Sequence, residues 1–212
     1  MSKIQTASGR LVDVTNVQRE DISLGDIATA LANTCRFNGH VKSFYSVAQH
    51  SVLASLLVKA PEKTRPRDVL MLQRVALLHD AHEAYTGDIP RPLQPLAQDL
   101  DNKKYTIGGT ILEVFAIPGW LRMWVLDAVH AVDEMLLATE KRDVLPVADV
   151  DWPVPPGAPH QFARIVPIGP EKARALFLAR FAELWSVEAM EREEAPASLL
   201  FEAAGWVVAG LE

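Results

Sequence analysis

The chain is poor in cysteine: one thiol, Cys35, stands among 212 residues. It cannot close an intrachain disulfide, and a lone cysteine fits a reducing compartment. Basic residues are also short. The 21 Lys and Arg against 27 Asp and Glu leave a net charge of −6. That argues against a broad electrostatic grip on polymeric nucleic acid, which needs clustered cations to replace counterions. A small anionic ligand in a local basic pocket stays open. No apolar run approaches the ~20 residues of a membrane span, and MSKIQTASGR at the start has no signal-peptide core. The expectation is a cytoplasmic protein without membrane contact. No internal repeat or linker divides the chain, so residues 1–212 read as one domain with its core at about 21–190. Hydrophobic residues make up 49% and charged residues 23%, globular values that allow a sizeable core.

What is present is mostly helical pattern. KIQTASGRLVDV alternates weakly around Ser8-Gly9 and reads as a short hairpin. SLGDIATALANTCRF reads as a helix capped by Ser23, with Asp26 completing a capping box and Cys35 on its last turn. RFNGHVKSFY follows as a loop. SVAQHSVLASLLVK is a second helix. RDVLMLQRVALLHDAHEAY is a longer one, stopped by Gly87 and Pro90. LAQDLDNKKYTIGGTILEVFAI is helical on both sides of Gly108-Gly109, where a break is expected. WLRMWVLDAVHAVDEMLLATEKRDVL is a strong helix. Residues 145–170 hold seven of the fourteen prolines and read as a surface insertion, with an extended piece at ARIVPI. Pro170 opens a last amphipathic helix, PEKARALFLARFAELWSVEAM.

Three of these helices carry polar residues on apolar faces. His50 shares a stripe with Leu53, Ala54 and Leu57. His79 and Glu83 continue the row of Leu72, Val75 and Ala76. Asp133 and Glu140 share a face with Val129, Leu136 and Leu137. A charge on an apolar face is costly unless it is paired or bound to metal. Singly, each has an ordinary explanation: a hydrogen-bonded core histidine, a helix-end charge at Asp80 or Glu83, a neighbouring cation for Asp133. Together they fit imidazole and carboxylate groups converging on one divalent metal in a bundle core. Two His and two Asp suit Mn²⁺, Co²⁺, Fe²⁺, Zn²⁺ or Ni²⁺, and a site without thiolate is catalytic in type. The pair His79 and His82 at i, i+3 matches neither HExxH nor its inverse, which disfavours a zinc peptidase. His130 is expected beside Asp133, and His160 exposed in the insertion.

VAQHS, LLHDAHEAYTGDIP and AVDEMLLATEKRDVL, in that order, resemble the H…HD…D pattern of HD-domain metal-dependent phosphohydrolases. The extended HDAxExxTGDIP string, with CRFNGHVKSFY before it, is similar to the branch containing bacterial 5′-deoxynucleotidases and phage dATP triphosphohydrolases. The resemblance runs from about Asp21 to Val144. It implies an HD-domain helical bundle in which His50, His79, Asp80 and Asp133 hold one divalent metal (Mn, Co, Zn, Ni, Fe or Mg). Glu83 would handle the attacking water, and Asp88 would contact sugar or water. Arg36 would grip phosphate and act in catalysis. Phe37 stands where the deoxynucleotidases have a Trp against the ribose 2′ position. His40 and Lys42 are further phosphate contacts or solvated loop residues. The implied activity is removal of phosphate from deoxynucleoside monophosphates or dNTPs by a homo-oligomeric enzyme. An HD phosphodiesterase of a signalling nucleotide and a non-catalytic nucleotide binder are the alternatives.

Overall fold

The computed structural model describes residues 2–118, 121–150, 158–161, 163–186 and 200–208. It is mostly α. Strands β1 (Lys3–Gln5) and β2 (Leu11–Asp13) pair antiparallel as the expected hairpin. The helices are α1 (Leu24–Asn33), α2 (Val47–Leu57), α3 (Pro66–Leu78), α4 (Glu83–Thr86), α5 (Gln98–Val114), α6 (Leu121–Asp143), α7 (Pro170–Leu184) and α8 (Leu200–Ala203). A second small sheet pairs β3 (Ala163–Ile165) with β4 (Trp206–Val208), so the ARIVPI segment is extended and meets the chain's tail.

Helix α2 is the axis of the molecule. Every residue from Val47 to Ser55 is buried, as expected of a helix packed on all sides. α3 and α7 lie against it, α1 packs on α2 and α7, and α6 crosses α2 and α3. Fully buried Leu31, Leu53, Leu72, Leu77, Leu136 and Phe177 fill the space between them. Each contributes on the order of 1.5–3 kcal/mol by leaving water. Ser46 caps α2, its hydroxyl accepting from Gln49 N. That cap sets the helical phase that carries His50 to the centre.

Several sequence expectations need correcting. Ser23 caps α1 through Asp26 N, but the Asp26 carboxylate does not complete a capping box; it accepts from Ser8 N and Ser8 Oγ, both at 2.7 Å. Long-range pairing with the hairpin turn displaces the local pattern. α1 ends at Asn33, so Cys35 lies outside it, bridged to Ser46 in extended backbone. The helix through HDAHEAY is interrupted: α3 stops at Leu78, and a turn over His79–His82 precedes α4. By contrast α5 runs unbroken through Gly108-Gly109, because packing overrides the weak helix preference of glycine. α7 ends at Leu184, short of the expected Trp185-Ser186, and the central residues of the Pro-rich segment and the VEAM end of that helical pattern lie outside the described residues. No helix among the described residues is long and apolar enough to cross a membrane.

Candidate metal centre

His50 enters the site from the middle of α2, and His79 and Asp80 from the turn that ends α3. Asp133 comes from α6. The His50 and His79 Nε2 atoms approach to 3.3 Å. Asp80 Oδ2 lies 3.1 Å from His79 Nε2 and 3.6 Å from His50 Nε2. Asp133 Oδ1 is 3.3 Å from His50 Nε2. The ligand atoms of His50, His79 and Asp80 all fall within 4.8 Å of one another.

The outer nitrogens of both rings are occupied. His50 Nδ1 is 2.7 Å from Glu140 Oε1, and His79 Nδ1 is 2.8 Å from the Ala76 carbonyl. Both partners are acceptors, so each Nδ1 carries a proton and donates it. This leaves Nε2 as the ligating atom of each ring: both Nε2 atoms and an Asp80 oxygen form one cluster, with Asp133 beside it against His50 Nε2. Such a donor set requires a positive charge, and borderline nitrogen with hard oxygen suits a first-row divalent ion. The electrostatics show the same demand for positive charge, which a proton on His50 Nε2 meets where no metal is bound. Burial and Arg36 oppose protonation of His50, yet Glu140 and Asp133 outweigh them and push its pKa up to about 9. Burial would raise the pKa of Asp80, but His79, His50 and Arg36 hold it well below the usual carboxylate range. Asp133 is likewise held low against burial, chiefly by His50.

Above this cluster opens a cavity of about 600 Å³. Asp80, Glu83, Asp88 and Asp133 line it. Phe37, Ile89, Pro90, Pro92, Leu93 and Leu137 form apolar wall, and Arg36 and Arg91 supply positive charge. Arg36 sits in a 3₁₀ turn, Arg36–Gly39, in which Phe37 and Asn38 take left-handed backbone (φ 57° and 51°). That conformation costs free energy for non-glycine residues and clusters at functional sites. It turns Arg36 inward, where Nη2 donates to Glu140 Oε2 at 3.0 Å and Nη1 lies 3.6 Å from Asp80 Oδ2. Its Nε is buried with no partner. Glu83 Oε2 is also buried and unpartnered. Burial, with the charges of Asp80 and Asp88, drives the Glu83 pKa well above its ordinary value, and burial raises that of Asp88. Two orphaned polar atoms at one cavity point to a ligand that satisfies both.

His40 reaches the cavity rim; Lys42 does not line it, being exposed with its backbone N–H donated to Val144 O. His82 faces a small neighbouring space beside Lys104. His130 does not pack beside Asp133; it is exposed and lies 3.2 Å from Glu134. His160 is half-buried rather than exposed, its ring edge-on to Trp206 at 4.8 Å. Sequence reasoning left three contributors without a role. Glu140, on the same face as Asp133 two turns on, was visible as a second carboxylate on an apolar stripe. Tyr45, whose hydroxyl donates to Glu140 at 2.9 Å, and Arg91, whose Nη2 donates to Asp133 Oδ2 at 2.7 Å, had no periodic signal.

The chain is similar to known proteins over much of its length. A family model described as HD domain matches residues 32–114. The uncharacterized protein YfdR of Escherichia coli K12 is 38% identical over 185 residues, 87% of this chain and 96% of YfdR. An uncharacterized protein of Rhodobacter capsulatus is 29% identical over 143 residues, 65% of this chain and 70% of its own.

Proposed function

Because the chain belongs to the HD-domain family, we propose that it is a divalent-metal-dependent phosphohydrolase that removes phosphate from deoxynucleotides, either deoxynucleoside 5′-monophosphates or dNTPs. One observation carries the reading. His50, His79 and Asp80 cluster, with Asp133 against His50, at a cavity lined by a guanidinium and by apolar side chains. That combination matches a phosphate joined to a base.

A bound divalent ion supplies Lewis acidity at phosphorus and acidifies water. The chain's own groups do the rest. Arg36, with Nη2 anchored on Glu140 and its side chain lining the cavity, offers its guanidinium to a phosphate oxygen and meets the charge that grows there. Glu83 takes the proton of the attacking water on Oε2, and burial beside Asp80 and Asp88 raises its pKa and so its basicity toward that proton. Asp88, across the same cavity, accepts a hydrogen bond from sugar hydroxyl or water. Phe37 and the Pro90–Leu93 wall take the sugar and base. His40 at the rim is a further anion contact.

The test is a panel of dNMPs, dNDPs and dNTPs with Mn²⁺, Co²⁺ or Mg²⁺, scored for phosphate, pyrophosphate and triphosphate. Turnover of one class with a defined product is expected. No turnover with any nucleotide and metal would overturn the reading.

A further inference from the structure

We propose that Glu140 is a positioning residue that joins the two halves of the site, holding the metal-binding imidazole of His50 and the phosphate-binding guanidinium of Arg36 on one carboxylate. This rests on the phosphohydrolase reading above.

Glu140 is completely buried in α6. A buried carboxylate needs compensation, and one arginine would supply its counter-charge. It has three partners instead. Oε1 lies 2.7 Å from His50 Nδ1 and accepts from the Tyr45 hydroxyl at 2.9 Å, while Oε2 accepts from Arg36 Nη2 at 3.0 Å. These partners come from α2, from the residue before its cap, and from the 3₁₀ turn after α1. The tyrosine fixes the carboxylate's orientation. The other two contacts each settle a functional atom. With His50 Nδ1–H donated to Oε1, Nε2 is the atom left to face His79 and Asp133. With Nη2 donated to Oε2, Arg36 keeps Nη1 toward Asp80 and leaves Nε unpartnered. Neither group can rotate without breaking a bond to the same side chain. One carboxylate therefore positions both the metal-binding and the phosphate-binding group.

Two substitutions separate this role from packing. Glu140→Gln preserves shape, but its amide nitrogen must face either the Arg36 or the His50 donor, so one contact becomes donor against donor. Glu140→Asp preserves charge, but the carboxylate retracts by about 1.5 Å and cannot span both partners. Wild type and both variants would be compared by thermal melting and by calorimetric titration with Mn²⁺ alone. Orthophosphate would then be titrated at saturating Mn²⁺. Folded variants should bind Mn²⁺ about 10–100-fold more weakly, the effect of losing an outer partner of a ligating histidine. They should also bind orthophosphate more weakly at saturating metal. A folded variant that matches wild type for both ligands would overturn the proposal. So would unfolding of both variants, because the carboxylate would then serve the fold alone. A wild type that binds no Mn²⁺ would instead sink the metal-site reading itself.

Discussion

A carboxylate on an apolar helix face asks what answers its charge. At Asp133 the answer is double: one oxygen faces His50 and the other accepts from Arg91. The sequence showed His50, Asp133 and Glu140 because helical periodicity reveals which residues share a buried stripe. Arg91 and the inward turn of Arg36 were hidden, since both depend on irregular backbone: a proline-flanked 3₁₀ turn for one, left-handed residues for the other. The residue-scale consequences are direct. Asp80→Ala should abolish Mn²⁺ binding in calorimetry while the protein still melts cooperatively, because Asp80 is within 3.6 Å of both imidazoles. Retained wild-type affinity would remove Asp80 from the ligand set. Arg36→Lys keeps a charge but loses the fork that spans Glu140 and the cavity. Steady-state kinetics should show kcat/KM lower by about 10²–10³, the scale of losing one preorganised donor to transition-state charge. A fall of less than threefold would mean that Arg36 does not meet the phosphate.

At the scale of elements, local pattern predicted helices well and their junctions poorly. The α3–α4 break is an instance. HDAHEAY has good helical periodicity, yet the chain turns at His79–His82, carrying His79 and Asp80 toward His50 and leaving Glu83 on a separate short helix. Convergence of side chains from three elements settles that backbone, and no window of sequence contains it. The opposite error at Gly108 gives a prediction. The glycine lies inside continuous α5, and an added Cβ there meets nothing within 4 Å. Gly108→Ala should raise stability in urea unfolding by about 0.5–1 kcal/mol; destabilisation would mean that α5 is bent at that point. The hairpin's attachment to α1 is pH-dependent with a definite sign. Burial alone would raise the pKa of Asp26, but hydrogen bonds from Ser8 and Thr6 outweigh it and leave the pKa below its ordinary value. A depressed carboxylate stabilises the fold above its unfolded pKa and loses that contribution as pH falls through the folded one. Urea midpoints should therefore drop below about pH 4. Asp26→Asn should be less stable at pH 7 and show a shallower acid slope. An unchanged slope would assign the acid sensitivity elsewhere.

Over the whole molecule, one residue beside the metal centre also fastens the chain's end. Gln49, next to His50 on α2, donates from Nε2 to the carbonyls of Val166 and Ala204, both at 2.9 Å, and accepts at Oε1 from Ile168 N at 3.0 Å. Segments more than 110 residues away in sequence thus close over the axial helix. This closure was illegible beforehand: the tail has no amphipathic period, and β3 and β4 are each three residues long. Gly205 makes it possible. Its φ of +78° is left-handed, and a Cβ there would collide with the Val166 carbonyl and crowd Gln49 Nε2. The left-handed backbone alone penalises a side chain by about 1–3 kcal/mol, and the backbone clash adds to it. Gly205→Ala should accordingly lower the unfolding free energy by at least about 1 kcal/mol, with early loss of amide protection at Val166 and Ile168 in hydrogen exchange. If the tail is only a fastening, Mn²⁺ affinity of the folded variant should stay within threefold of wild type. A larger loss would mean that the Gln49 contacts also hold His50 in place, and that the end of the chain belongs to the working site.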